Sequence, residues 1–215
     1  MPMGRLFAIA VLVAGLAAVL VTTLGSDDEP ESVLATEPVD IADDDAADTE
    51  PEPLEPLEPL PVLGEAGTLR NLDGWLNTED TTFEEILAEN EVVVVQFWTF
   101  ACRNCKNTLD AMGELYEEYK DQGVEFIGVH APEFAFEAEI TNIIEAADEL
   151  GVVWPIALDT TKRNFHDWQE GRWGYWPRAY LIDSEGQIRQ NERGDGLAGY
   201  RELGENIQRL LDGEA

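Results

Sequence analysis

The chain has 215 residues and carries 45 Asp or Glu against 13 Lys or Arg, a formal net charge of −32. Such a field repels polyanions and excludes nucleic acid and anionic lipid surfaces as partners. The length allows one domain of ordinary size plus appendages. An acidic composition with only three lysines suits a high-salt habitat, where counterions screen self-repulsion.

Residues 1–26, MPMGRLFAIAVLVAGLAAVLVTTLGS, hold no charged residue from Leu6 to Leu24. As a helix rising about 1.5 Å per residue, that run just crosses a hydrocarbon core of roughly 30 Å. Arg5 precedes it and a dense acidic run follows. The expected arrangement is a single-pass anchor in the cytoplasmic membrane, N-terminus inside and the rest of the chain outside, periplasmic or extracellular. The alternative is a cleaved signal peptide, which leads to the same compartment. The apolar run is longer than a usual signal core, however, and VTTLGS offers no A-x-A cleavage site.

Residues 27–64 are expected to be a disordered acidic, Pro-rich linker. Asp27 to Pro61 contains fourteen acidic residues, no Lys or Arg, and the repeat EPEPLEPLEPLPVL. Proline at this density removes helix and sheet and favours polyproline II, and like charges stretch it further. The segment reads as a stalk, with protein binding by the repeat as the alternative.

Residues 65–215 carry the globular pattern. LRNLDGWLN (69–77) suggests two short strands around an Asp73-Gly74 turn. TTFEEILAEN suggests a short helix capped by Thr81 or Thr82. VVVVQFW (92–98) is a continuous apolar run, as expected of a strand buried on both faces. NTLDAMGELYEEYKDQG spaces apolar residues at 109, 112, 115, 116 and 119 before a glycine stop, an amphipathic helix. VEFIGVH is a second apolar strand. EAEITNIIEAADELG is a helix with Ile140, Ile143, Ile144, Ala147 and Leu150 on one face. VVWPIALD suggests a short or edge strand and TKRNFHDWQEGRW a short helix. RAYLIDSEGQIRQNERG reads as a hairpin, with strands at 179–183 and 188–192, and YRELGENIQRLLDG as a closing helix. This order implies an α/β fold, a central mixed sheet flanked by helices.

Both cysteines of the chain, Cys102 and Cys105, lie between the buried strand and the amphipathic helix. Residues i and i+3 share a face of the first helical turn, so their sulfurs can meet. Cys102 falls at the helix N-terminus, where free N–H groups, the macrodipole and Arg103 favour a thiolate. Cys102 is therefore expected to attack a partner's disulfide and Cys105 to resolve the mixed disulfide. A structural disulfide would close too small a loop to stabilise much. A zinc site lacks a second cysteine pair, and the two histidines do not sit at finger spacing. No metal and no bound cofactor is expected.

FWTFACRNC resembles the F-W-x-x-x-C-x-x-C active site of thioredoxin-like proteins. With IGVHAPEFAFE, VVWPIALD and WPRAYLIDSEGQIR, residues 68–212 resemble the TlpA/ResA branch, particularly the thioredoxin-like domain of DipZ-type proteins. The resemblance implies a thioredoxin-like fold and a membrane-tethered thiol–disulfide oxidoreductase. Its partners would be disulfides of exported proteins and a membrane thiol electron donor, in roles that include cytochrome c maturation. It also implies a redox-active disulfide between Cys102 and Cys105, and a cis Pro177 facing them that presents the backbone of Trp176 to an extended substrate. Trp98 matches the family's tryptophan before the active site, a lid over the sulfurs or plain core. Glu133 matches an acidic residue near the inner cysteine, a proton acceptor for Cys105 or a solvated loop carboxylate.

There are departures. Gln96 stands where thioredoxin has a buried aspartate and cannot be a base, Ala101 stands where many relatives have tryptophan, and Arg103-Asn104 is not Gly-Pro. His130 close to Glu133 could couple to it or be structural. The aromatic stretch WQEGRWGYW before Pro177 could line a substrate groove or belong to the core. Two further functions compete. A thiol peroxidase would need a Pro-x-x-x-Thr-x-x-Cys pattern, which is missing. A non-catalytic binding module would use the stalk and the aromatic groove.

Overall fold

The computed structural model describes residues 58–169 and 174–214. The segments expected as membrane anchor (1–26) and as most of the stalk (27–57) lie outside the described residues. Among the described residues, no helix is long and apolar enough to cross a membrane.

The elements in chain order are strands β1 (Gly64–Glu65) and β2 (Trp75–Leu76), helix α1 (Phe83–Glu89), strand β3 (Val92–Trp98), helix α2 (Arg103–Tyr119), and strand β4 (Val124–His130). A 3₁₀ turn (Ala135–Ala138), helix α3 (Ile140–Glu149), strand β5 (Ile156–Leu158) and helix α4 (Arg163–Trp168) come next. Strands β6 (Arg178–Asp183) and β7 (Gln187–Arg193) and helix α5 (Leu197–Leu211) complete the chain. They build one seven-stranded sheet in the order β1-β7-β6-β3-β4-β5-β2. β3 runs parallel to β4 and antiparallel to β6, so the sheet is mixed.

β3 is buried at every position, as its unbroken apolar run demands. Alternate side chains enter different layers. Val92, Val94 and Trp98 pack with Met112 of α2, Trp154, and Tyr200, Leu203 and Ile207 of α5. Val93, Val95 and Phe97 pack with Phe83 of α1, Phe165 of α4, and Tyr180. Gln96 has the parity of the first set, and the amide of this central strand donates to Thr108 Oγ1 at 3.1 Å and Tyr200 Oη at 3.0 Å. α1 starts as its sequence indicates: Thr82 Oγ1 accepts from Glu85 N at 3.2 Å, and the Glu85 carboxylate accepts from Thr82 N at 2.9 Å.

Several expectations need correction. Residues 69–72 form no strand; Asn71 is left-handed (φ 50°), and only Trp75–Leu76 pairs, with β5. β5 is therefore an interior strand, with β2 covering its outer side. Ile140 and Ile144 of α3 are exposed; the face that enters the core is Ile143 and Ala147. The folded domain also begins before residue 65. Leu60 is buried, its carbonyl accepts from Arg189 Nη1 at 2.9 Å, and Leu63 N donates to Ile188 O at 2.8 Å. The proline-rich run thus ends as a strap on the outer hairpin.

Gly128 in β4 lies beneath two buried tryptophans. A methyl there would stand 2.8 Å from Trp98 Nε1 and 3.0 Å from Trp154 Nε1. Gly128→Ala is expected to destabilise the domain by about 1–3 kcal/mol through overpacking, read as a lowered midpoint in thermal or denaturant melts.

Candidate active site

Cys102 is the N-cap of α2, with extended backbone (φ −67°, ψ 116°), and its sulfur accepts the N–H of Cys105 at 3.2 Å. A helix N-terminus leaves its first N–H groups without intrahelical partners, and a thiolate fills that role better than a thiol. No acidic residue lies in the first turn of α2 to oppose it. The Cys102 N–H is held in turn by the Thr99 carbonyl at 3.3 Å, which closes the loop from β3 to α2. Cys102 is partly exposed and Cys105 fully buried, both as free thiols.

Their surroundings separate the two sulfurs. The Cys105 thiol, followed by the N–H groups of Cys105 and Asn104, brings Cys102 down to about 7, against partial burial and the charge of Glu133. Burial pushes Cys105 far up, and the hydrogen bond and charge of Cys102 and then the charge of Glu137 add to that. The outer thiol is thus the more readily ionised of the two, and the inner one is held as a thiol.

The Trp176–Pro177 bond is cis. Trp176 O lies 3.9 Å from Cys102 Sγ, so the loop expected to face the dithiol does face it. The Trp176 ring anchors the loop from behind, stacked on Phe165 at 4.0 Å and donating through Nε1 to Ala131 O at 2.9 Å. The aromatic stretch before Pro177 divides. Trp168 belongs to the core against Phe83, Phe97 and Tyr180, while Tyr175 is exposed with the Arg193 guanidinium 4.9 Å above its ring. Residues 170–173 lie outside the described residues.

For two site residues the sequence left two placements open, and the structure distinguishes them. Trp98 is only 1 % exposed, edge-on to His130 in the same apolar cluster as Cys105, so it belongs to the core. Glu133, expected either as a proton acceptor for Cys105 or as a solvated loop carboxylate, is exposed, and its charge bears on Cys102. The carboxylate acting on Cys105 is that of Glu137, which was not singled out in the sequence. They stand four positions apart, and the 3₁₀ turn that contains Glu137 folds the chain back so that Glu137 is 0 % exposed. Glu137 Oε1 accepts from the Thr99 hydroxyl and from Ala101 N at 2.8 Å. Its Oε2 accepts from Glu133 N at 2.8 Å and Phe134 N at 2.7 Å. His130 Nε2 lies 3.2 Å from Thr99 Oγ1, so His130 couples through Thr99 to Glu137 rather than to Glu133. Burial holds His130 down at about 4, opposed by the Glu137 charge.

An aromatic shelf extends outward from this buried cluster. Phe100 stacks on His130 and meets Phe136 edge-on at 5.8 Å. Phe136 in turn stacks on Phe134 at 5.9 Å, and these two rings are about half exposed. Among the described residues, no group of three or more His, Cys, Asp or Glu is placed to hold a metal ion.

A dithiol at a strand–helix junction, opposite a cis-proline on a mixed sheet, defines a thioredoxin-like domain. The AhpC/TSA family model matches residues 68–191, and the chain belongs to that family. It is 39 % identical over 134 residues to Protein DipZ of Mycobacterium bovis, covering 62 % of this chain and 19 % of DipZ. The chain thus spans about a fifth of that relative's length. It is 28 % identical over 137 residues to the thiol-disulfide oxidoreductase YkuV of Bacillus subtilis, covering 64 % of this chain and 87 % of YkuV. A thioredoxin-like protein solved in its oxidized form superposes with a TM-score of 0.55 at 27 % identity, over 73 % of this chain and 96 % of that one.

The charges around Cys102 make its ionisation testable. Iodoacetamide should alkylate Cys102 with a midpoint near pH 7 and leave Cys105 untouched in the folded protein. Glu133→Gln removes a like charge and should lower that midpoint, whereas Cys105→Ala removes the strongest stabiliser of the thiolate and should raise it. Three midpoints near about 8.5, that of a free cysteine, would contradict this arrangement.

Proposed function

We propose that the protein is a thiol–disulfide oxidoreductase that works outside the cytoplasmic membrane and reduces disulfides of exported proteins. The observation that carries this reading is the Cys102 sulfur, capping α2 beside the Trp176 carbonyl with Cys105 one turn behind it. An extended substrate pairing with the backbone of the cis-proline loop would lay its disulfide against that sulfur. The exposed Phe134 and Phe136 offer apolar contact to its flanking residues.

The electron balance is that of two exchanges. Cys102 thiolate attacks one sulfur of the substrate disulfide, forming a mixed disulfide and releasing the first substrate thiolate, which takes a proton from water. Cys105 then loses its proton to solvent and attacks Cys102 Sγ. The Cys102–Cys105 disulfide forms, the bond to the substrate breaks, and the second substrate thiolate leaves. The substrate gains two electrons and the dithiol loses them; a membrane thiol donor restores the pair by the reverse exchange, with no bound cofactor. The apolar run Leu6–Leu24 behind Arg5 would hold the domain at the membrane, and residues 27–57 would space it from the surface. Cytochrome c maturation, in which exported thiols must be reduced before haem attachment, is one process that fits.

The reductive direction is supported by the state of Cys102. A thiol held near 7 gives the reduced form little extra stability, unlike one held at about 3.5, which makes a strong oxidant. The potential of the Cys102–Cys105 couple, measured against a dithiol buffer, is expected nearer about −270 mV than about −120 mV. A value at the oxidising end would overturn the direction. In cells, Cys105→Ser should accumulate mixed disulfides with exported proteins, and Cys102→Ser should accumulate none. Equal trapping by both variants, or peroxide consumption at rates matching disulfide reduction, would favour another chemistry.

A further inference from the structure

We propose that Glu137 is a positioning residue for the dithiol: its buried carboxylate ties residues 99–101 to residues 133–134 and sets a fixed negative charge behind the inner sulfur. This rests on the exchange chemistry proposed above and assigns the group that times its second step.

The carboxylate accepts four hydrogen bonds, two on each oxygen, all from the two loops that border the dithiol. Three come from backbone N–H groups and one from Thr99, whose own carbonyl holds the N–H of Cys102. Its hydroxyl proton is committed to Glu137, so Thr99 Oγ1 accepts from His130 and the imidazole carries its proton on Nε2. His130 Nδ1 is buried with no hydrogen-bond partner among the described residues, in keeping with that tautomer. The three side chains form a directed chain, His130 to Thr99 to Glu137, that ends in an anion and contains no cation. A carboxylate buried this deeply would be costly without its four donors.

The inner sulfur is faced by Cys102 on its own helix, Glu137 from the 3₁₀ turn and Tyr200 from α5, with His130 of β4 one link further back. Tyr200 is pushed up to about 12 by burial, so it stays neutral, and His130 is neutral above about 4. Once Cys102 is tied up in a mixed disulfide its negative charge is gone, while the Glu137 charge still bears on Cys105. Burial does most to keep Cys105 a thiol in the resting dithiol, and the Glu137 charge adds to that and restrains its ionisation afterwards.

The test loads Cys102 of the folded protein with 5-thio-2-nitrobenzoate and follows release of the coloured thiolate as Cys105 attacks, across pH 5–9. Glu137→Gln removes the charge but leaves an amide that can accept at only one of its two ends. Removing one nearby charge should lower the Cys105 pKa. The gain in thiolate at neutral pH is partly offset by its weaker nucleophilicity, so release should quicken by about threefold. A merely structural role predicts the opposite, slower release with unchanged pH dependence, and that result would overturn the proposal. Release that fails in the native protein itself would overturn the dithiol reading and this one together. If Glu137→Gln does not fold, nitrogen chemical shifts of His130 in the native protein decide. A neutral Nε2–H ring through pH 5 supports the chain, and a ring titrating near 6.5 sinks it.

Discussion

A sulfur anion half out of water needs fixed hydrogen-bond donors to replace the solvent it has lost. At Cys102 those donors are the N–H groups that open α2 and the thiol of Cys105. The arrangement works only if the helix end stays still, because a frayed first turn would offer its N–H groups to water instead. Much of the architecture bears on that point. β3 delivers the chain to the helix from a strand buried on both faces, and the Thr99 carbonyl fastens the Cys102 N–H before the turn begins. Thr108 and Tyr200 engage the Gln96 amide one turn below, in the layer where Cys105 is enclosed.

Burial then divides the labour between two chemically identical thiols. The outer sulfur gains donors and keeps access to solvent; the inner sulfur gains apolar neighbours and a negative charge. The two effects widen one difference: the outer thiol ionises more readily than the inner one. The cis-proline loop supplies the third side of the site, and its carbonyl lies beside Cys102 because the Trp176 ring is sunk behind it against Phe165.

Several features were readable locally. The continuous valine run required a strand shielded on both sides, the capping pair Thr82 and Glu85 marked the start of α1, and the spacing of the two cysteines put both in one turn. Other features were not. Trp98 looks like a rim residue beside the active-site motif, yet strand alternation and the packing of Trp154 and Tyr200 place it in the interior. Glu133 and Glu137 are both acids in the same loop, and nothing in PEFAFE tells which one is buried. The choice falls to a 3₁₀ turn that folds Glu137 back onto the N–H groups of Glu133 and Phe134, while Ala101 N and Thr99, 38 residues away, meet its other oxygen. The apolar stripe of α3 is wider than the surface it covers, so Ile140 and Ile144 remain outside.

The amino-acid order alone placed the two cysteines in one helical turn, the outer one at the helix end, and determined the α/β succession, because these depend on neighbours within a turn or a strand. It also marked the apolar and acidic segments ahead of the domain. Only the tertiary structure decided which carboxylate stands behind Cys105, that a main-chain carbonyl from residue 176 meets Cys102, and that β5 is interior rather than an edge. Those outcomes depend on ladder register and loop closure between residues far apart in the chain. Hydrophobic periodicity carries no information about them, since it records how much of a segment is buried and not what it is buried against.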